Sequence, residues 1–306
     1  MPINDPDWPR ADEWLQRGDP ADGCDISVYG VPLSAGSLSE ARTDLAPSAV
    51  REVLNRFSTY HNEQDSDTRK LTAIDGGDWD LTDLDLTGAH DRIRELTEAS
   101  SLGKTAAVFW GGDNSITRPI MQGTTTDWQR VFGLLTIDAH HDVRRLDNGP
   151  TNGTPVRGLL QDGLAGERIS QIGIQPFANS HEYQDFAMHH GVSVRTIHDI
   201  EVRGVEEVVK QELHHLSGRA DWIYVDFDMD VLDVAYAPGS PGARPGGLTP
   251  RQLQHAAFVC GRNPKVIVAD FVEVDPERDP TGATVLNMAA TFLAFCAGVA
   301  ARPLTT

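Results

Sequence analysis

Short apolar runs recur along the chain at 26–30, 106–110, 131–137, 169–173, 222–225 and 266–269, each closing on or just before a glycine or an aspartate. They are apolar on both faces rather than alternating, and β-branched residues are frequent, which is the pattern of buried parallel strands. Between them, the stretches 46–57, 87–101, 205–216 and 250–260 repeat their apolar positions at helical spacing. The last opens on Thr249, suited to an N-cap, followed by Pro250 at the first helical position. Strand alternating with helix predicts an α/β domain, a mostly parallel sheet with helices on both faces. The first 25 residues are polar and rich in proline and aspartate, and read as an N-terminal arm. No linker-like shift divides 26–306, which reads as a single domain.

Composition narrows the function. The chain has 306 residues, 40% of them hydrophobic, enough for a large core. Its 45 Asp and Glu outnumber 26 Lys and Arg, for a formal charge of −19. Such an excess argues against nucleic-acid or anionic-membrane partners, which need basic patches. No apolar run reaches the roughly 18 residues a membrane span needs, and the opening MPINDPDWPR has no basic segment leading into an apolar one, so no signal peptide is expected. Three distant cysteines, Cys24, Cys260 and Cys296, point to free thiols in a reducing cytoplasm.

The acids are not evenly spread. The run 131–137 leads into DAHHD at 138–142, and 222–225 leads into DFDMD at 226–230. GGDNS at 111–115 follows 106–110, and DFVE at 270–273 follows 266–269. Ligands of open parallel sheets bind beyond the carboxyl ends of the strands, so these acids are expected to meet in one crevice. Carboxylates gathered there repel, and a divalent cation relieves them. In an extended segment residues two apart share a face, so Asp138, His140 and Asp142 point together, as do Asp228 and Asp230. One imidazole among carboxylates suits a hard ion such as Mn²⁺ rather than thiolate-bound zinc. Four acids and a histidine exceed the needs of one ion, so two ions per subunit are expected. Asp226 and Asp233 read as structural, His141 as a satisfied neighbour, and the pairs at 189–190 and 214–215 as solvated surface.

With these motifs in their order, the chain resembles the ureohydrolase family, which includes arginase, agmatinase and formimidoylglutamase. The resemblance also takes in GVP at 30–32, APSAVR at 46–51, DGGD at 75–78, NGTP at 152–155 and EVDP at 273–276. It implies an arginase-like three-layer α/β/α sandwich around an eight-stranded sheet, a binuclear manganese centre, and a trimer or hexamer. It also implies hydrolysis of a linear amidine or guanidine C–N bond by a metal-bridging hydroxide. Carried over residue by residue, Asp138 and Asp228 would bridge the ions, His140 and Asp230 would complete one shell, and Asp142 would serve the other with Asn114. Glu273 would hold the cationic amidine, and Asp230 would also pass a proton to the leaving amine.

Asn114 stands where the family usually has a histidine ligand, so the ion beside Asp142 is expected to bind more loosely or be absent. Asn152 stands where the family has its proton-shuttling histidine, and is placed against the substrate. The Asp-x-Arg of 142–144 and the non-histidine residue before Gly-Thr-Pro look most like the formimidoylglutamase branch. In that branch Arg144 would take a substrate carboxylate, so N-formimidoyl-L-glutamate is the first-choice substrate. The alternatives are a guanidino hydrolase of arginase, agmatinase, guanidinobutyrase or N-hydroxyarginine type, and a non-catalytic ligand-binding paralogue.

Overall fold

Each of the six apolar runs forms a strand in the computed structural model, which describes residues 5–303. The strands are β1 (Leu15–Arg17), β2 (Ile26–Val31), β3 (Tyr60–His61), β4 (Ser66–Asp67), β5 (Ala73–Asp78), β6 (Ala106–Gly111), β7 (Phe132–Ile137), β8 (Ile169–Ile174), β9 (Ser193–Thr196), β10 (Trp222–Asp228) and β11 (Val266–Val272). β3 and β4 make a small antiparallel hairpin, and the other nine form one parallel sheet ordered β1-β5-β2-β6-β11-β10-β7-β8-β9.

The sheet therefore has nine strands among the described residues, where eight were expected. The added one is β1, inside the expected arm, whose Leu15 pairs in register with Ala73. Just before it, Ala11 and Trp14 are buried, and Trp14 Nε1 donates to the Leu71 carbonyl at 2.9 Å. The described part of the arm is thus built onto the sheet edge. Three residues with only Leu15 buried carry no readable period.

Helices cover both faces because successive residues of each strand point to opposite sides. Val108 and Trp110, Leu135 and Ile137, and Val225 and Phe227 belong to one core. Ala107 and Phe109, Leu134 and Tyr224 belong to the other. The expected helices are present as Ala46–Val53, Leu86–Ala99, Val205–Ser217 and Pro250–Arg262. The last carries a full capping box, in which Thr249 and Gln252 satisfy each other's backbone N–H.

The last helix among the described residues, Ala283–Ala300, is one that the sequence reading passed over. At 18 residues and mean hydropathy 1.8 it is long and apolar enough to cross a membrane by length and composition, which corrects the expectation that no segment is. Thr284, Asn287 and Thr291 interrupt it, so it does not stand out as an apolar run. In the fold 72% of it is buried, with Phe292 edge-on to Trp110 and Phe295 edge-on to Phe227.

The strand order places the crevice. From β2 the chain builds outward to β5, returns to β6, then crosses to β7 and builds outward again through β8 and β9. β10 and β11 come last and fill the gap between β7 and β6. The carboxyl ends of β6, β11, β10 and β7, the four strands that carry the acidic motifs, therefore lie side by side at the switch point where such sheets bind ligands.

Candidate metal centre

Register brings the acids together. Phe227 pairs with Ile137 and Asp228 with Val272, so Asp228 closes β10 beside Asp138 on one side and Glu273 on the other. Each motif then turns on its own first aspartate. Asp138 Oδ1 accepts from the His140 N–H at 2.6 Å, and Asp228 Oδ1 from the Asp230 N–H at 2.7 Å. Such side-chain turns let a short polar segment bend without a ladder partner. They direct His140 and Asp230 back over the strand ends.

The result is a cluster in which Asp138, His140 and Asp230 each offer a ligand atom within 4.8 Å of the others. His140 Nδ1 lies 2.9 Å from Asp230 Oδ2 and 3.5 Å from Asp138 Oδ1. Asp138 Oδ2 is buried with no hydrogen-bond partner. A buried, unsatisfied carboxylate oxygen is costly. It fits a site whose remaining partner is a cation, and hard oxygens with one imidazole fit manganese.

The electrostatics agree. Burial, then the neighbouring acids, pushes Asp142 and Asp228 well above the usual carboxylate range. Asp138 is raised to about 6 by burial and Asp230. Burial would raise Asp230 too, but His140 holds it below its ordinary value. Burial pulls His140 down, and Asp230 and Asp138 outweigh it, favouring a second ring proton. Against that, Arg244 Nη1 faces Nε2 at 2.7 Å, and two donors cannot oppose each other there. The contact requires a lone pair on Nε2, so in the metal-free protein we assign the neutral ring with its proton on Nδ1, toward Asp230, a proton that a cation bound at Nδ1 would displace.

Asn114 lies behind this cluster. Its Nδ2 donates to Asp142 Oδ2 at 2.5 Å, and its Oδ1 lies 2.9 Å from the Thr117 hydroxyl. That hydroxyl also reaches Asp270 Oδ2 at 2.7 Å, so its single proton serves one of them at a time. With its nitrogen toward Asp142, Asn114 steadies that carboxylate and turns no oxygen to the same side. Asp142 itself sits at φ 53° and Glu273 at φ 63°, a left-handed backbone uncommon for residues other than glycine. Strain of this kind gathers at functional sites. We expect manganese titration by calorimetry to show two steps at least about tenfold apart in affinity, since a neutral amide replaces an imidazole donor. Two equal, tight steps would contradict this.

A cavity of about 150 Å³ opens above the acids, lined by His140, Asp142, Asp228, Asp230 and Glu273 at its floor and by Arg144, Asn152 and Arg244 on its walls. Arg144 has no carboxylate partner among the described residues; it is Arg145 that pairs with Asp147, at 2.8 Å. Arg244 escaped the sequence reading. It belongs to a loop that folds back on Asp233 and contributes no periodic signal. Gly242 of the same loop lies against Asp230, whose carboxylate would collide with any Cβ there. Burial raises Glu273 to about 8, with Asp113 adding to the effect, while N–H donors from Asn114 and Asn152 oppose it.

The residues read as structural occupy such places. Asp226 pairs in register with Asp270, both fully buried, beneath the site. Asp233 accepts from the backbone of Ala235 and Gly246, closing a turn. His141 is buried between Gln171 and Gln184, at 2.7 and 2.8 Å.

Comparison with known proteins agrees with this geometry. The model of the arginase family matches residues 24–297. The formimidoylglutamase of Halalkalibacterium halodurans is 40% identical over 83% of this chain and 81% of its own. The guanidinopropionase of Pseudomonas aeruginosa is 32% identical over 88% and 84%. The crystal structure of Bacillus subtilis formimidoylglutamase superposes with a TM-score of 0.93 at 31% identity, covering 99% of this chain and 96% of that one.

Proposed function

The chain belongs to the arginase family, whose members hydrolyse C–N bonds, and on that premise we propose that it cleaves N-formimidoyl-L-glutamate to formamide and glutamate. The observation that carries the choice of substrate is the cavity itself. Its floor is acidic, while its walls hold two arginines, Arg144 and Arg244, that form no carboxylate pair among the described residues. A substrate with a cationic amidine at one end and carboxylates at the other matches that polarity, and guanidinium is well suited to carboxylate. Relatives named formimidoylglutamase at 40% and 35% identity support the same reading.

Asp138, Asp228, His140 and Asp230 would hold one manganese ion, and Asp142, again with Asp138 and Asp228, the other. When bound, the metal pair supplies a water acidic enough to act as nucleophile near neutral pH and positive charge beside the amidine. The protein's own groups do the rest. Glu273, whose Oε1 is held by the Asn114 N–H at 2.8 Å, accepts from the amidinium and so orients the carbon under attack. Asp230, which the metal-free protein already holds below its ordinary carboxylate value, takes a proton and returns it to the glutamate nitrogen as the C–N bond breaks. Arg144 and Arg244 fix the far end of the substrate.

Steady-state kinetics on matched substrates test the assignment. Arg144→Met and Arg244→Met should each raise KM for formimidoyl-glutamate about 10- to 100-fold, the worth of one charge-assisted hydrogen bond. Arg144→Met, which touches no ligand of the metal, should not raise KM for agmatine, which has no carboxylate. A wild-type preference for agmatine or a guanidino acid, undisturbed by either substitution, would favour the guanidino hydrolase reading instead.

A further inference from the structure

We propose that Asn152 is a positioning residue, which binds the Glu273 carboxylate and the segment 33–40 into one rigid unit over the cavity. The proposal rests on the reading of Glu273 as the group that faces the amidine. Asn152 uses both ends of its side chain. Nδ2 donates to Glu273 Oε1 at 3.1 Å, and Oδ1 accepts from the Leu38 N–H at 3.2 Å. Its backbone N–H donates to the Gly36 carbonyl at 2.7 Å.

The strap is pinned from the other side as well. The Gly36 N–H donates to the buried Asp113 Oδ2 at 2.8 Å, and the Asp113 N–H to the Leu33 carbonyl at 2.7 Å. Gly36 packs so closely on Asp113 and Ser115 that a Cβ would collide with both side chains. Leu38 and Ser39 then form part of the cavity wall although Leu38 is 54% exposed and has little core packing to hold it. Hydrogen bonds therefore carry its placement, and Asn152 supplies the one nearest the cavity. An amide suits this task because it offers a donor and an acceptor at once, at fixed positions, and does not titrate. Glu273 Oε1 is occupied by the Asn114 and Asn152 donors, which leaves Oε2 for the substrate.

Two measurements separate this role from direct substrate binding. In metal-free protein, Asn152→Ala should raise hydrogen exchange of the Leu38 amide at least about tenfold. Asn152→Asp, which keeps the acceptor for Leu38 but loses the donor to Glu273, should leave that amide protected. With manganese saturating, Asn152→Ala and Asn152→Asp should each lower kcat/KM roughly 10- to 100-fold for the best amidine substrate. Placed on Glu273→Ala, Asn152→Asp should cost less than about twofold, because the donor it loses has no carboxylate left to hold while the acceptor for Leu38 is kept. Equal losses in both backgrounds, or an unchanged Leu38 amide in Asn152→Ala, would overturn the proposal. If no amidine is turned over, the functional reading falls, and the exchange result still decides the role of Asn152.

Discussion

Asp230→Asn is expected to lower kcat by about 10²- to 10⁴-fold, the usual worth of a positioned proton carrier. Asp230 is buried, sits 2.9 Å from His140 Nδ1, and is held below its ordinary carboxylate value in the metal-free protein. It is the carboxylate in the cluster best prepared to take a proton from the attacking water and deliver it to the leaving nitrogen. An asparagine keeps the shape and an oxygen donor but carries no proton. Because Asp230 is also placed as a ligand, manganese content must be measured on the same sample by atomic absorption. A variant with full metal content and more than a tenth of wild-type kcat would remove Asp230 from proton transfer.

Stripping the metal is expected to reverse the ordinary pH dependence of stability. Burial is the leading cause that raises Asp113, Asp138 and Asp270 to about 6, from an ordinary 3.8, and Glu273 to about 8, from 4.5. A carboxyl raised in this way binds its proton more tightly in the folded state than in the unfolded one. Its contribution to stability is complete below the ordinary value and is lost as pH rises through the raised one. The metal-free protein should therefore lose stability between about pH 4.5 and 8, where most proteins are near their best. Several groups titrate in that window, so a fall in Tm on the order of 5 °C or more is expected. Manganese should restore Tm most strongly at the upper end, since it neutralises Asp138 and the raised ligands Asp142 and Asp228 beside it and binds only the folded site. Differential scanning calorimetry with and without EDTA reads both effects. A metal-free Tm that rises from pH 5 to 8 would show that these acids are not crowded as described.

What was legible in the sequence was legible for a physical reason. β6, β7, β10 and β11 are buried on both faces, so they appear as unbroken apolar runs. The acids at their ends stand out because a parallel sheet directs every such end to one side. β1 and β9 lie at the sheet edges, where partial burial leaves no run to read. β5, with sequence AIDGGD, is identified only through the family motif. Arg244 and the strap around Leu38 are positioned by loops that fold back from far along the chain, and no local period announces such a return. The orientation of Asn114 was equally hidden, because an amide's direction is set by its neighbours, here Asp142 and Thr117.

The most direct test of the account is product analysis by NMR with N-formimidoyl-L-glutamate and manganese. Formamide and glutamate should appear in equal amounts, with kcat/KM at least about a hundredfold above that for agmatine, which lacks both carboxylate contacts, and at least about tenfold above that for arginine, guanidinobutyrate or N-hydroxyarginine, which lack one. Urea or a substituted urea released faster from any guanidino compound than formamide is from formimidoyl-glutamate would contradict it.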